Sequence, residues 1–125
     1  KVLNFEGETS CYVQYTCARA NSVLEKGGAA RSCSAAAVCP QEFEIVKQLA
    51  EFPAMLRDAL DKYEPCFIAR YAVDLAQKFN KFYFDCSILN ADEETRAFRL
   101  SLTEATLIVL KNALGLLGIG VPEKM

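Results

Sequence analysis

The residue types that most often catalyse reactions are absent from this chain or stand in the wrong context. There is no histidine, which is the usual general base at neutral pH. No serine stands in a nucleophile-elbow motif, and no glycine-rich phosphate loop is followed by a lysine. The adjacent acids Asp92, Glu93 and Glu94 are better explained as helix-start charges than as a catalytic pair. We therefore predict that this chain alone carries no catalytic residue.

The six cysteines allow three interpretations. An even number permits three disulfides in a secreted domain, and clustered thiols can also bind a metal ion. However, most of them fall within helical patterns, where a cysteine behaves as a small buried residue, and no Cys-x-x-Cys pair or histidine is present. We favour reduced, structural thiols and predict no metal site. The cysteines are Cys11, Cys17, Cys33, Cys39, Cys66 and Cys86.

Tyr15 and Arg19 form a pair spaced by four residues, which places them one turn apart on one face of a helix. Tyr12 and Ser22 belong to the same polar side of that helix. From spacing alone, an ordinary pair on the protein surface is the favoured interpretation. A binding role therefore needs further support.

Composition limits the classes of protein to consider. A length of 125 residues predicts one domain, and a hydrophobic content of 52% is enough for a packed core. The net charge of −2 argues against a protein that coats duplex DNA, although it allows recognition of a few unstacked bases. No apolar run approaches the ~20 residues that span a bilayer. The first residue is Lys1 rather than methionine, which suggests a fragment.

Helical periodicity and well-placed prolines predict an all-α bundle of four to five mostly antiparallel helices. Pro40, Pro53 and Pro65 each suit the first turn of a helix, where the missing N–H costs nothing. Gly118 falls where a left-handed helix cap is expected, and Pro122 prevents the helix from resuming. No strand pattern is evident. The predicted helices cover about residues 11–26, 41–51, 53–63, 65–85 and from 95 onwards.

The periodicity also predicts which faces are buried. The last helix has two apolar stripes, so it should be surrounded by other helices. The stripes contain Leu100, Thr103, Leu107, Leu110, Leu114 and Leu117, and Leu102, Ala105, Val109, Ala113 and Leu116. The second helix should bury Phe43, Val46, Leu49 and Ala50.

Several segments, in this order and spacing, resemble the C-terminal, DALR-type anticodon-binding domain of arginyl-tRNA synthetases. They are FEGET (5–9), YVQYTCAR (12–19), LAEFP (49–53), EP (64–65), ARY (69–71), LAQKFNKFY (75–83), 99–119 and PEKM (122–125). Only the segment 29–39, rich in Cys, Ala and Ser, has no counterpart. The resemblance covers nearly the whole chain and implies an all-helical module.

The resemblance implies that the full-length protein is a class I arginine–tRNA ligase of the cytoplasm, acting as a monomer. It would attach arginine to tRNA(Arg) with ATP and Mg²⁺ on an N-terminal, Rossmann-type catalytic domain. The present chain, as one domain over residues 1–125, would grip the anticodon stem-loop and need no cofactor. Every arginine codon has a central G, so one pocket for a central cytosine would serve all isoacceptors.

Carried onto this sequence, the resemblance implies an anticodon pocket of six residues. It contains Tyr15, Arg19, Tyr83 and Met125, with Asn80 and Ser22 as secondary members. Four cations near the corner between the fourth and fifth helices are candidates for phosphate contacts, with a solvated face as the alternative. They are Lys78, Lys81, Arg96 and Arg99.

Two other functions compete with this interpretation. One is a secreted, disulfide-stapled helical bundle that acts as a ligand or a lipid carrier. The other is a helical protein-interaction module without an RNA partner. A thiol count under denaturing, non-reducing conditions separates the secreted bundle from the anticodon-binding domain, because only the former predicts that no thiol is free.

Overall fold

A computed structural model describes residues 10–27, 39–62 and 64–118, and within these ranges the chain is all-α with no strand. The predicted fold class is confirmed, and the predicted helix boundaries agree with the observed ones within two residues. The helices are α1 (Ser10–Gly27), α2 (Pro40–Ala50), α3 (Phe52–Lys62), α4 (Pro65–Asp85) and α5 (Glu93–Leu116).

The helix ends follow from local chemistry. Pro40 and Pro65 are the first residues of α2 and α4. Asp92 caps α5, with its carboxylate accepting a hydrogen bond of 3.2 Å from the backbone N–H of Thr95. Beyond α5, Gly118 adopts a φ of 78°, which confirms the predicted left-handed cap. Pro122 lies outside the described residues.

The centre of the bundle is α4, because all four other helices pack against it. Its inward face consists of residues that the helical period predicts, namely Ile68, Tyr71, Ala72, Leu75, Phe79 and Phe82. In α5 the first stripe is largely buried, but the second is not buried throughout. Leu116 is 51% exposed, and Ile108, about two turns earlier on the helix, is 52% exposed. The prediction that other helices surround α5 is therefore wrong for its outer side.

The predicted buried face of α2 is wrong. Phe43, Val46 and Ala50 are exposed, whereas the helix turns Glu42, Ile45 and Gln48 inward. The physical reason is that the two buried polar residues have partners on neighbouring helices. Hydropathy does not detect such partners, so a prediction from hydropathy places the more apolar face of α2 in the core.

Glu42 illustrates how polar pairing sets the orientation of α2. Its carboxylate is fully buried and lies 2.6 Å from Nε of Arg99 on α5. The other carboxylate oxygen accepts a hydrogen bond of 3.2 Å from the backbone N–H of Cys39, just before α2. A carboxylate with these partners is tolerated inside a protein, because charge and hydrogen bonds compensate for its lost hydration.

Candidate functional site

Arg19 is the centre of a cluster of aromatic side chains on one side of the bundle. Its guanidinium carbon lies 4.5 Å from the ring centroid of Tyr83, 4.8 Å from that of Tyr15 and 4.9 Å from that of Phe84. Cations at such distances are attracted to the negative faces of aromatic rings. Tyr15 is 48% exposed and Phe84 is 72% exposed, so the aromatic cluster faces solvent rather than the core.

Asn80 holds Arg19 in this position from beneath. Its Oδ1 accepts a hydrogen bond of 2.8 Å from Nη1 of Arg19. Its Nδ2 donates to the hydroxyl of Tyr12 and to Oγ1 of Thr16, both at 2.9 Å. The amide is buried, and both of its N–H groups and its oxygen are used. A fully satisfied buried network of this kind fixes side-chain orientation.

Tyr15 completes the support of the guanidinium. Its hydroxyl accepts a hydrogen bond of 2.8 Å from Nη2 of Arg19. Two of the five N–H groups of a guanidinium are therefore directed to Asn80 and Tyr15 by these bonds. The arginine is held by hydrogen bonds in its plane and by rings at its faces, which leaves it one well-defined position.

An open cavity of about 610 Å³ adjoins this cluster. It lies between α1, the end of α4 and the connection to α5. Its volume falls within the range of pockets that bind small molecules, roughly 300–1,000 Å³, and a single nucleobase fits in it. The lining residues are Tyr15, Ala18, Arg19, Ser22, Val23, Lys26, Tyr83, Phe84, Cys86, Ser87, Ile88, Leu89 and Asn90.

The structure brings five of the six predicted pocket residues to this place. Tyr15, Arg19, Tyr83 and Asn80 form the cluster, and Ser22 lines the adjoining cavity. Met125 lies outside the described residues.

Sequence reasoning missed Phe84, Lys26 and Tyr12 as members of the site. A signal existed for Lys26, because Tyr15, Arg19, Ser22 and Lys26 follow one another at intervals of four, three and four residues. Phe84 directly follows Tyr83, and the two rings meet edge to face at 5.5 Å between centroids.

The four candidate phosphate-binding cations have different surroundings. Lys81 is 70% exposed and lies 3.0 Å from Asp85, one turn further along α4. Lys78 donates a hydrogen bond of 2.8 Å to Oε1 of Gln48 on α2. Arg96 donates to the carbonyl of Gly27 at the end of α1. Of these three, Lys81 is the most accessible to a phosphate.

Arg99 is held inside the protein by its ion pair with Glu42 and by a hydrogen bond to the carbonyl of Ser87. Burial disfavours the charged guanidinium, but the hydrogen bond and the charge of Glu42 outweigh that effect and raise the pKa of Arg99 above its usual value. The side chain is only 13% exposed. Its observed role is to join α5 to α2 and to the wall of the cavity.

Over residues 10–27, 39–62 and 64–118, no three Cys, Asp or Glu side chains are grouped in a way that could hold a metal ion. In the same ranges, no helix combines the length and the apolar character that crossing a membrane requires.

Comparison with known proteins identifies the family. A sequence model of the DALR anticodon binding domain matches residues 13–125. This chain belongs to the DALR anticodon-binding domain family. The result agrees with the family resemblance derived from the sequence motifs, and the comparisons do not support a secreted helical bundle.

Curated relatives are similar over the whole chain. The arginine–tRNA ligase of Clostridium beijerinckii is 46% identical, and the alignment covers 100% of this chain and 23% of the relative. The arginine–tRNA ligase of Lactobacillus johnsonii is also 46% identical, with 100% of this chain and 22% of the relative covered. The DALR chain thus spans less than a quarter of the length of these relatives.

Solved structures show the same fold. The arginyl-tRNA synthetase of Thermus thermophilus superposes with a TM-score of 0.88 at 35% identity, over 98% of this chain and 22% of that one. A solved protein of Campylobacter jejuni superposes with a TM-score of 0.86 at 22% identity, over 98% of this chain and 28% of that one, which supports the fold alone.

Proposed function

We propose that this DALR domain recognises the anticodon stem-loop of tRNA(Arg) as part of an arginyl-tRNA synthetase. The observation that carries the proposal is the position of Arg19, held by Asn80 and Tyr15 among aromatic rings beside an open cavity. RNA-binding proteins commonly recognise single bases in this way, with rings for stacking and a few hydrogen-bonding groups for identity.

The site suits a splayed-out central cytosine. The pairing edge of cytosine presents two adjacent acceptors, O2 and N3, and a guanidinium presents parallel N–H donors. Uracil presents an N–H in place of N3, and guanine presents N–H donors in place of both acceptors, so Arg19 would face a donor. The exposed rings of Tyr15 and Phe84 supply faces for stacking, worth ~1–3 kcal/mol per base.

Further residues complete the proposed interface. Ser22 lies on the cavity wall beside the arginine. Met125 would close the pocket from the C-terminal tail, as the family resemblance implies. Lys81 on α4 and Lys26 at the cavity are the proposed phosphate contacts. Lys78 and Arg96 would contact phosphates only after breaking their hydrogen bonds to Gln48 and to the carbonyl of Gly27.

The activity of the whole protein is also part of the proposal. A full-length arginine–tRNA ligase attaches arginine to its tRNA in a reaction that consumes ATP and needs Mg²⁺. We assign both to the catalytic domain in the rest of the longer protein, and we assign no residue of this chain to them. The proposed full-length enzyme works in the cytoplasm as a monomer.

Titration followed by NMR tests the proposal. The chain is titrated with an arginine anticodon stem-loop and with the same loop carrying a central G. We expect shifts at Tyr15, Arg19, Tyr83 and Met125 with the first loop and their loss with the second. Equal shifts with both loops would show that the chain contacts only the phosphate backbone of the RNA and does not read the central base. The absence of shifts at high RNA concentration would refute anticodon binding.

A matched pair of variants adds a second test. Arg19→Lys keeps the positive charge but removes the planar fork of donors, so we expect at least about a tenfold loss of affinity for the native loop. Arg57→Lys changes an exposed arginine on α3 and should leave the affinity unchanged. Equal effects of the two substitutions would show that Arg19 contributes only charge.

A further inference from the structure

Two cysteine thiols meet at the place where α4 ends and α2 begins. The Sγ atoms of Cys39 and Cys86 lie 3.4 Å apart, although the residues are 47 positions apart in the chain. Both side chains are half-buried and both thiols are free. Cys17, by contrast, is buried, and Cys11 and Cys66 are exposed with no thiol beside them among the described residues.

The two cysteines both stand at helix ends. Cys39 is the residue before α2, with φ −117° and ψ 156°, and Cys86 is the residue after α4, with φ −123° and ψ 136°. Both are extended residues at helix ends rather than residues inside a helix. A disulfide requires an S–S distance of about 2.05 Å, so the sulfurs need to approach by only about 1.4 Å.

We propose that Cys39 and Cys86 are a redox-modification site that closes reversibly to a disulfide. A small disulfide such as oxidised glutathione is the oxidant. One cysteine thiolate attacks a sulfur of the oxidant, which forms a mixed disulfide and releases a glutathione thiolate. The second cysteine thiolate then attacks the protein sulfur of the mixed disulfide and releases the second glutathione. The two thiols lose two electrons, and their two protons go to the released glutathiones.

The disulfide would link the start of α2 to the end of α4, next to the cavity. Cys86 lines the cavity, and Ser87 beyond it accepts a hydrogen bond from Arg99. Arg99 pairs with Glu42, whose carboxylate binds the backbone N–H of Cys39. The start of α2 and the end of α4 are therefore already held together without a covalent bond, and oxidation would make that junction covalent.

The environment of Cys86 indicates how oxidation depends on pH. Burial first, and then the hydrogen bond with Cys39, raise the pKa of Cys86 to about 11. Because the thiolate is the reactive form and burial of Cys86 disfavours it, attack by Cys86 is slow at neutral pH and accelerates as pH rises.

Mapping of the oxidised chain tests the proposal without RNA, so the result is independent of anticodon binding. The folded chain is incubated in oxidised and reduced glutathione, quenched with acid, alkylated and digested. We expect a peptide pair joined through Cys39 and Cys86. Free thiols at both positions under conditions that oxidise the unfolded chain, or a link from Cys39 to Cys33 instead, would overturn the proposal.

Variants and thermal unfolding complete the test. In Cys86→Ser no thiol among the described residues adjoins Cys39 to displace its glutathione, so Cys39 should accumulate as a mixed disulfide with glutathione. Cys66→Ser, at an exposed cysteine, should oxidise like the parent chain. The oxidised chain should unfold at a Tm higher by roughly 10 °C, because the bond restricts the unfolded chain. A lower Tm after oxidation would show that the disulfide distorts the fold, and would refute the proposal that Cys39 and Cys86 are a site of reversible disulfide formation.

Discussion

Replacing Asn80 should weaken RNA binding more than its effect on stability explains. In Asn80→Ala, Arg19 loses its 2.8 Å hydrogen bond from Nη1, and the buried hydroxyl of Thr16 loses its donor. A buried polar group left without its partner costs ~1–3 kcal/mol, so we expect a stability loss of about 2–3 kcal/mol. For a chain of 125 residues this corresponds to a fall in Tm of about 8–12 °C.

The same substitution should also release Arg19 from its fixed position. With one of its two hydrogen-bonded supports removed, the guanidinium must be ordered when the base binds, and we expect about a tenfold loss of affinity, or ~1.4 kcal/mol. Fluorescence anisotropy with an arginine anticodon stem-loop measures the affinity, at a temperature where circular dichroism shows that the variant is folded.

Thr16→Val is the matched control for this prediction. It removes a hydroxyl that accepts a bond from Asn80 and donates one of 2.9 Å to the carbonyl of Tyr12, but it leaves the bond between Asn80 and Arg19 in place. We expect a similar stability loss with an affinity within about twofold of the parent chain. If both variants lose affinity in proportion to stability, Asn80 supports the fold and does not position Arg19.

Three further predictions concern other parts of the structure. Arg99→Ala leaves the carboxylate of Glu42 buried without its ion-pair partner and should cost about 3–5 kcal/mol in urea unfolding, whereas Lys81→Ala breaks an exposed pair and should cost less than about 1 kcal/mol. Phe84→Ala removes an exposed ring and should reduce RNA affinity by about tenfold while shifting Tm by no more than about 4 °C; equal affinity would remove Phe84 from the site. The hydrogen bonds from Thr95 hold the pKa of Asp92 below its usual value. The ionised Asp92 cap therefore stabilises the fold fully above the pKa of Asp92 in the unfolded chain, and this stabilisation is lost as pH falls through its pKa in the folded chain. The difference in Tm between the parent chain and Asp92→Ala should therefore narrow from pH 6 to about pH 3, and a constant difference would contradict this assignment of the cap.

Helix positions were predictable from the sequence because local signals determine them. The signals are the prolines at the starts of α2 and α4, the acids at the start of α5 and the glycine after its end, Gly118. Each acts through the backbone of its own turn. The inward face of α4 was also predictable, since its apolar residues follow the helical period.

The orientation of α2 was not predictable from hydropathy, because it depends on partners distant in sequence. Glu42 finds Arg99, and Gln48 finds Lys78 on α4 and accepts a hydrogen bond on its carbonyl from Tyr71. No local pattern contains these pairs. The same limit explains why Arg99, which looks like a solvated cation from its sequence context, is only 13% exposed and pairs with a buried carboxylate.

The candidate site was only partly predictable for a related reason. Spacing placed Tyr15 and Arg19 on one face, but their meeting with Asn80 and Tyr83 requires α1 and α4 to pack together. The family resemblance supplied that information for four residues. Phe84 stood outside the motif that carried the resemblance, and only the packed structure assigns it to the cluster.

The immobilisation of Arg19 has a kinetic consequence for the proposed recognition. Because Asn80, Tyr15 and the neighbouring rings order the guanidinium during folding, an incoming base does not have to select one of its many rotamers. Correct and incorrect loops should then arrive at similar rates, and discrimination should reside in how long each one stays. Under the proposed function, a rigid arginine would thus discriminate through residence time, and a mismatched tRNA would dissociate before the slower steps of the proposed full-length enzyme begin.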